Sequence, residues 1–247
     1  ETHRLKQVWF NFPKKEETDE YSVGEGNELT SLLLEIDGLF WNNNTSELLG
    51  STIEFGDIKL HVLAPDHDVA YENKPKEPDE LGVRSDDWYI DLRTLIDNVD
   101  DDDIDEGGTN SQSIIILAEC EGKKLLLPGD STPKKLCDAL QSYNKTNGTP
   151  LELDFMKLPH HGSTRNVTKN ILNEVTCSNF IISTKKNNKY YFPNKETIAK
   201  LIRYRDSADK AINVYFNYQE SLDVLGITAE ELTENNINLN VCNEFNF

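Results

Sequence analysis

The sequence predicts an α/β protein in which strands feed helices along the whole chain. Three observations carry this. Short apolar runs of strand length, such as residues 114–118 and 125–127, alternate with segments whose apolar residues recur at helical spacing. Two of the strands, in LLLPGD and LDFMKLPHH, end alike, in a turn that carries polar side chains ahead of the next helix. At 247 residues the chain is long enough to bury the core of one large domain, and a single domain over residues 1–247 is the expectation.

The elements follow in order. Residues 6–12 (KQVWFNF) predict a strand, and residues 27–37 a helix with Leu29, Leu32, Leu33 and Ile36 on one face and Gly38 after its end. Residues 57–64 alternate Ile58, Leu60 and Val62, the pattern of a half-buried strand. Residues 113–120 and 123–128 flank Glu121-Gly122 and predict a hairpin. Ser131-Thr132-Pro133 offers a capping hydroxyl and a proline at the first helical position, so a helix is expected directly after Asp130. A strand over residues 151–158 comes next, then a helix with Val167, Ile171, Leu172 and Val175 on its apolar face. Residues 179–183 predict a strand and residues 196–205 a helix with core positions Ile198, Leu201 and Ile202. A strand over residues 211–218, a helix opened by the capping box Thr228-Ala229-Glu230-Glu231, and a strand alternating Ile237, Leu239 and Val241 close the chain.

Charge narrows the function classes. The net charge is −19, and residues 66–106 hold 16 acidic against four basic side chains, or −12 of it. That stretch, with Pro75, Pro78 and Asp100-Asp101-Asp102-Asp103, predicts a solvated acidic excursion around one short helix at residues 87–97. The Asp run lacks the alternating ligands and mid-loop glycine of a calcium loop. So acidic a chain argues against non-specific binding to nucleic acid, which local lysines or metal ions would have to mediate. No apolar run approaches membrane-spanning length and no charged-then-apolar leader opens the chain, so a soluble protein with no membrane partner is expected. Cys120, Cys137, Cys177 and Cys242 have no metal-ligand spacing and fit a reduced, cytoplasmic setting. The first residue is Glu1 and the lone methionine is Met156, so Glu1 is not an intact translation start.

The chemistry-bearing residues cluster at the two similar strand ends. His160 and His161 are adjacent on a loop that continues into Gly162-Ser163-Thr164. Neighbouring loop histidines can point to different sides, one to a metal and one to a substrate oxygen; they can equally be surface residues that cap and hydrogen-bond. Asp130 lies at the other strand end. A carboxylate bridging two cations beside a neutral imidazole is a common way to hold Zn²⁺ or Mn²⁺ and bring a bound water to a pKa of roughly 7; alone, Asp130 is also an ordinary turn or capping aspartate. His3, His61 and His67 read as incidental. There is no nucleophile-elbow Gly-x-Ser-x-Gly, phosphate-binding or dinucleotide-binding glycine loop. Lys134, Lys135, Lys157, Lys185, Lys186 and Lys189 fall near the same edge in sequence and could meet phosphates, or could simply be solvated.

The succession NSQSII from Asn110, then LLLPGD, LDFMKLPHHGS and FIISTKKNNKYYFPNKETIAKL, resembles the metallo-β-lactamase fold. The branch it resembles is that of the C-terminal domain of the competence DNA-uptake protein ComEC and its stand-alone bacterial relatives. The likeness is most specific over residues 110–201. It implies an αββα sandwich of two ββα halves with a metal site where strand ends meet. It puts Asp130 at the bridging aspartate, and His161 on the metal with His160 on the substrate's phosphoryl oxygen or leaving group, an assignment that could be exchanged. Asn110 and Ser111 match a position where many relatives carry a histidine. Phe192, in YYFP, stands where relatives often have a histidine before the proline. The family's first-half motif, His-x-His-x-Asp-His, does not occur in the chain; it is expected upstream of KQVWFN, where it would complete a dinuclear zinc or manganese site.

Two functions follow. One is a metal-dependent hydrolase acting on a phosphodiester or nucleic-acid-like substrate, with Asp130 and His161 as metal ligands and His160 as the catalytic group. The other is a catalytically incomplete scaffold that binds a protein partner or regulates one. By either, the chain alone is expected to be inactive, because two protein ligands do not fill a zinc coordination sphere.

Overall fold

The computed structural model describes residues 7–9, 28–29, 31–33, 35–36, 40–42, 45–65, 86–107, 110–148 and 150–245. At its centre a row of apolar side chains runs in register across adjacent strands: Leu117, Leu126, Met156, Phe180, Val214 and Leu239. The first five are buried, each contributing about 1.5–3 kcal/mol by leaving water. This row is the spine of an eight-stranded sheet.

The sheet contains β3 (Thr52–Phe55), β4 (Ile58–Ala64), β5 (Ile115–Cys120), β6 (Lys123–Leu127), β8 (Phe155–Lys157), β10 (Asn179–Ile182), β11 (Ile212–Phe216) and β12 (Ile237–Val241), and its order is β12-β11-β10-β8-β6-β5-β4-β3. The four pairs from β12 to β6 are parallel and the three from β6 to β3 antiparallel. Beside it stand two small parallel pairs, β1 (Gln7–Trp9) with β2 (Phe40–Asn42), and β7 (Leu151–Glu152) with β9 (Val175–Thr176). Helices α1 (Leu92–Asp97), α2 (Pro133–Asn147), α3 (Lys169–Asn173), α4 (Lys195–Tyr204), α5 (Gln219–Asp223) and α6 (Ala229–Glu234) flank the sheet. α1 packs on α4, and α3 on both α2 and α4. The α/β class therefore holds, and the architecture is compatible with an α/β sandwich.

Local chemistry explains where elements start and stop. The β5–β6 hairpin turns at Glu121 and Gly122, both at positive φ. α2 begins at Pro133 as expected, although Thr132 makes no side-chain capping bond. The Thr228 capping box is present in full. The strand expected over residues 151–158 is instead two, β7 and β8. It breaks at Asp154, whose carboxylate takes the Lys124 N–H and the Lys123 ammonium, both at 2.9 Å, and so fastens the break to β6. In the helix expected over residues 27–37, residues 28–29 and 31–33 are helical, with Leu33 buried but Leu29 and Leu32 exposed.

The acidic stretch departs most from expectation. Residues 66–85 lie outside the described residues. Residues 86–107 are no solvated loop: Trp88, Leu92, Leu95 and Ile96 join the core, and Asp87 and Asp105 are buried with them. Asp87 accepts the Glu196 N–H at the start of α4 (2.7 Å). The helix here is shorter than expected because Asp91 caps it, accepting from Thr94 N.

Candidate metal and substrate edge

Parallel pairing brings the two strand ends to one edge. Leu125 and Leu126 of β6 are in register with Phe155 and Met156 of β8, an offset that puts Asp130 level with His160. The His160 N–H donates to Gly129 O (3.1 Å), stitching the two turns together. Gly129 lies at φ +61, and a Cβ there would stand 3.2 Å from the Ser113 side chain, which itself accepts the Asp130 N–H. Glycine at 129 thus lets Asp130 reach the edge.

The histidine turn is unusual. His160, His161 and Gly162 have φ values of 44°, 60° and 77°, three left-handed residues in succession. Its far side rests on α4: Thr197 Oγ1 donates to Gly162 O (2.7 Å), and Asn194 Oδ1 accepts the Thr164 N–H (2.9 Å). The wholly buried Lys200 ammonium donates to Thr164 O and Val167 O and pairs with Asp101 at 2.8 Å.

Each imidazole has its own aspartate. The Nδ1 of His161 lies 2.9 Å from Ser183 O, so it must carry the proton and donate. Its Nε2 faces Asp130, 3.9 Å away, with both side chains more than 40% exposed. As a neutral imidazole it would set a lone pair across from a carboxylate at a separation that suits a shared cation, since ligands about 2.1 Å from one ion stand roughly 3–4 Å apart. The Nδ1 of His160 lies 3.2 Å from Asn166 Oδ1 and 3.5 Å from Asp105 Oδ2, so it too bears a proton. Asn166 is oriented by donating to Asp105 and to Ser131 O.

Asp105 was not legible as a site residue. It accepts from Asn110, Asn166 and the Gly107 N–H. Burial would raise its pKa, but hydrogen bonds from His160, Asn166, Asn110 and Gly107 outweigh that and hold it well below the usual carboxylate range. Its neighbours share the task. Asp103 binds Arg165 (2.9 Å), and Asp101 binds Lys200 and the Lys169 N–H. Alternate aspartates 101, 103 and 105 thus dock along the segment after the histidines, while Asp102 faces solvent. The signal was the two-residue spacing, hidden inside an acidic run broken only by Ile104.

The other expected positions fall as follows. Asn110 lies 3.5 Å from His160, at the edge where the resemblance placed a histidine in relatives. Phe192 packs on both imidazoles, with ring centroids 5.4 Å from His160 and 5.9 Å from His161. Lys157 donates to Gly129 O and Leu158 O; burial lowers its pKa, opposed by Asp130. His61 sits apart from this edge, on Thr52 and Glu119. His3 and His67 lie outside the described residues. Among the described residues no group of three or more His, Cys, Asp or Glu side chains is arranged to hold a metal, and no helix is long and apolar enough to cross a membrane. Asp130 and His161 therefore fit a cation as a pair, not as a complete set.

No family model matches the chain. Over 120 residues it is 28% identical to Recombination protein 2 of Haemophilus influenzae, a stretch covering 47% of this chain but only 14% of that protein.

Proposed function

We propose that this edge serves metal-dependent hydrolysis of a phosphodiester in a DNA-like substrate. The observation that carries the reading is the opposition of the His161 Nε2 and the Asp130 carboxylate at 3.9 Å, with Nδ1 occupied by Ser183 O. The similarity to a protein named for recombination supports a DNA-related role. When bound, zinc or manganese would supply Lewis-acid activation of water and of the phosphoryl group. Asp130 and His161 would hold the ion. His160, its Nδ1 proton tied to Asn166 and Asp105, would present Nε2 to a phosphoryl or leaving-group oxygen, and Phe192 would keep water from the imidazole faces. A zinc takes about four ligands, so the reading requires ligands beyond these two.

The test is zinc and manganese binding by calorimetry, with hydrolysis of bis(p-nitrophenyl) phosphate followed in parallel. This chain is expected to bind weakly through Asp130 and His161, and Asp130→Ala or His161→Ala to abolish binding. In a longer protein that also carries His-x-His-x-Asp-His, about two ions should copurify, and the same substitutions should remove both ions and turnover. Binding that is indifferent to Asp130 defeats the reading. The second reading, a metal-free scaffold for a protein partner, is favoured by the lack of a three-ligand cluster among the described residues; it requires that neither protein retain metal.

A further inference from the structure

The loop between β10 and α4 has a charge unlike the rest of the molecule. Residues 183–195 hold four lysines and no acidic residue, in a chain of net charge −19. Lys195 is buried beneath Trp88 O, while Lys185, Lys186 and Lys189 are exposed. The loop is built rather than slack. Asn187 and Phe192 exchange backbone hydrogen bonds (3.0 and 3.2 Å), and Asn187 Oδ1 accepts the N–H groups of Lys189 and Tyr190.

That scaffold sets out a run of aromatic rings leading away from the candidate site. From the imidazoles the next ring is Phe192, at 5.4 and 5.9 Å, and the next is Tyr190, 6.0 Å further on and 39% exposed. The Lys189 ammonium lies over the Tyr190 ring at 4.8 Å, and Lys186 over Trp88 at 5.3 Å. Rings interleaved with cations match a polymer that alternates flat π-faces with anionic links.

The geometry points to residues 185–192 as the surface that binds an unpaired DNA strand and leads it to the candidate site, a base stacking on Tyr190 and phosphates meeting Lys185, Lys186 and Lys189. The inference rests on the nucleic-acid reading above for the nature of the strand. A duplex is a poorer fit, because its base faces are covered and only the lysines could engage it. The net charge of −19 makes much of the remaining chain unfavourable to phosphates, which favours this acid-free loop as the place of binding. Lys185 also pairs with Glu220 at 3.7 Å, a carboxylate that competes with a phosphate for the same cation.

The experiment is fluorescence anisotropy of a dye-labelled oligo(dT) at low salt in EDTA, so that the result does not depend on metal. Binding should fall with salt at a log–log slope of about −2, three phosphates at about −0.7 each. Replacing Lys185, Lys186 and Lys189 together by alanine should flatten that slope and weaken binding about tenfold or more. Tyr190→Ala should weaken it by about tenfold and Tyr190→Phe restore it, as stacking requires. Glu220→Gln should tighten it. All of these positions are exposed, and unchanged thermal unfolding will show that the variants fold. No binding to oligo(dT), equal binding to blunt duplex, tighter binding to oligo(U), or a triple-lysine variant that binds like wild type each overturns the inference. Binding without hydrolysis on metal addition would leave this inference standing and defeat the hydrolase reading alone.

Discussion

The Asp105–His160 and Asp130–His161 pairs stand side by side on one turn, and their surroundings differ. Around Asp105 the page of contacts is full: two asparagine amides, a backbone N–H and an imidazole converge on a carboxylate that is buried. Around Asp130 the contacts are fewer: its own N–H donates to Ser113, the Lys157 ammonium is near enough to feel its charge, and the imidazole of His161 is too far away for a hydrogen bond. The difference teaches how one fold can use the same two residue types for opposite ends. A carboxylate saturated with donors orients its neighbour and has nothing left to offer a ligand. A carboxylate left at the surface contributes little to folding and keeps its lone pairs available.

The substitution expected to be most damaging is Asp105→Ala, which strands Asn110, Asn166 and the Gly107 N–H in a buried site and should lower unfolding free energy by about 3–5 kcal/mol, measured in urea. The pH profile should carry the same mark. Because the folded-state pKa of Asp105 is depressed, its stabilisation is full above about pH 4 and disappears as pH falls through the lower folded value. Asp105→Asn should remove that acid limb; an unchanged acid limb would show that the network is not what holds the carboxylate ionised.

Asp87 sharpens the contrast by going the other way. Burial, offset only in part by the N–H groups of Glu196 and Lys195, raises it to about 6, and one of its oxygens has no partner among the described residues. Folding thus favours its protonated form, and stability should fall by about 3 kcal/mol as pH rises from about 4 to about 6. Asp87→Asn should flatten that window in calorimetric melts.

Smaller effects belong to the open side. Phe192→His should cost about 1–2 kcal/mol in lost ring packing. By adding an imidazole beside His160 and His161 it should raise zinc affinity by about tenfold or more, and an unchanged affinity would count against a cation site at this edge. Asp130→Ala should change stability least, by under about 1 kcal/mol; a loss as large as that of Asp105→Ala would erase the distinction between the two pairs.

Most of the sheet was legible because β4, β5, β6, β10, β11 and β12 announce themselves by apolar runs or alternation between turn residues, and because β6 and β8 end in the same chemistry; the edge strand β3, Thr-Ile-Glu-Phe, was not read. Parallel register then makes Asp130 and the histidines neighbours, a consequence that sequence can suggest but only pairing can deliver. What stayed hidden has a common cause. Asp87, Asp101, Asp103 and Asp105 lie in a stretch whose composition predicts solvation, and composition cannot say that partners such as Lys200 and Asn166 wait some 60 to 100 residues further along the chain. The break at Asp154 was hidden likewise, since its partner Lys124 is on another strand.

The three left-handed residues of the histidine turn bear on how this sequence can change. An imidazole in that conformation costs on the order of 1 kcal/mol or more relative to an unstrained backbone, and glycine would relieve it. His161→Gly would lose one hydrogen bond to Ser183 O and gain backbone ease. For fold alone, then, position 161 would accept glycine or asparagine, whereas the ring at 160 is tied to Asn166 and Asp105 and repays its strain in the folded state. The two histidines of one turn are thus held to it on different terms, and only the second could leave without disturbing the buried network.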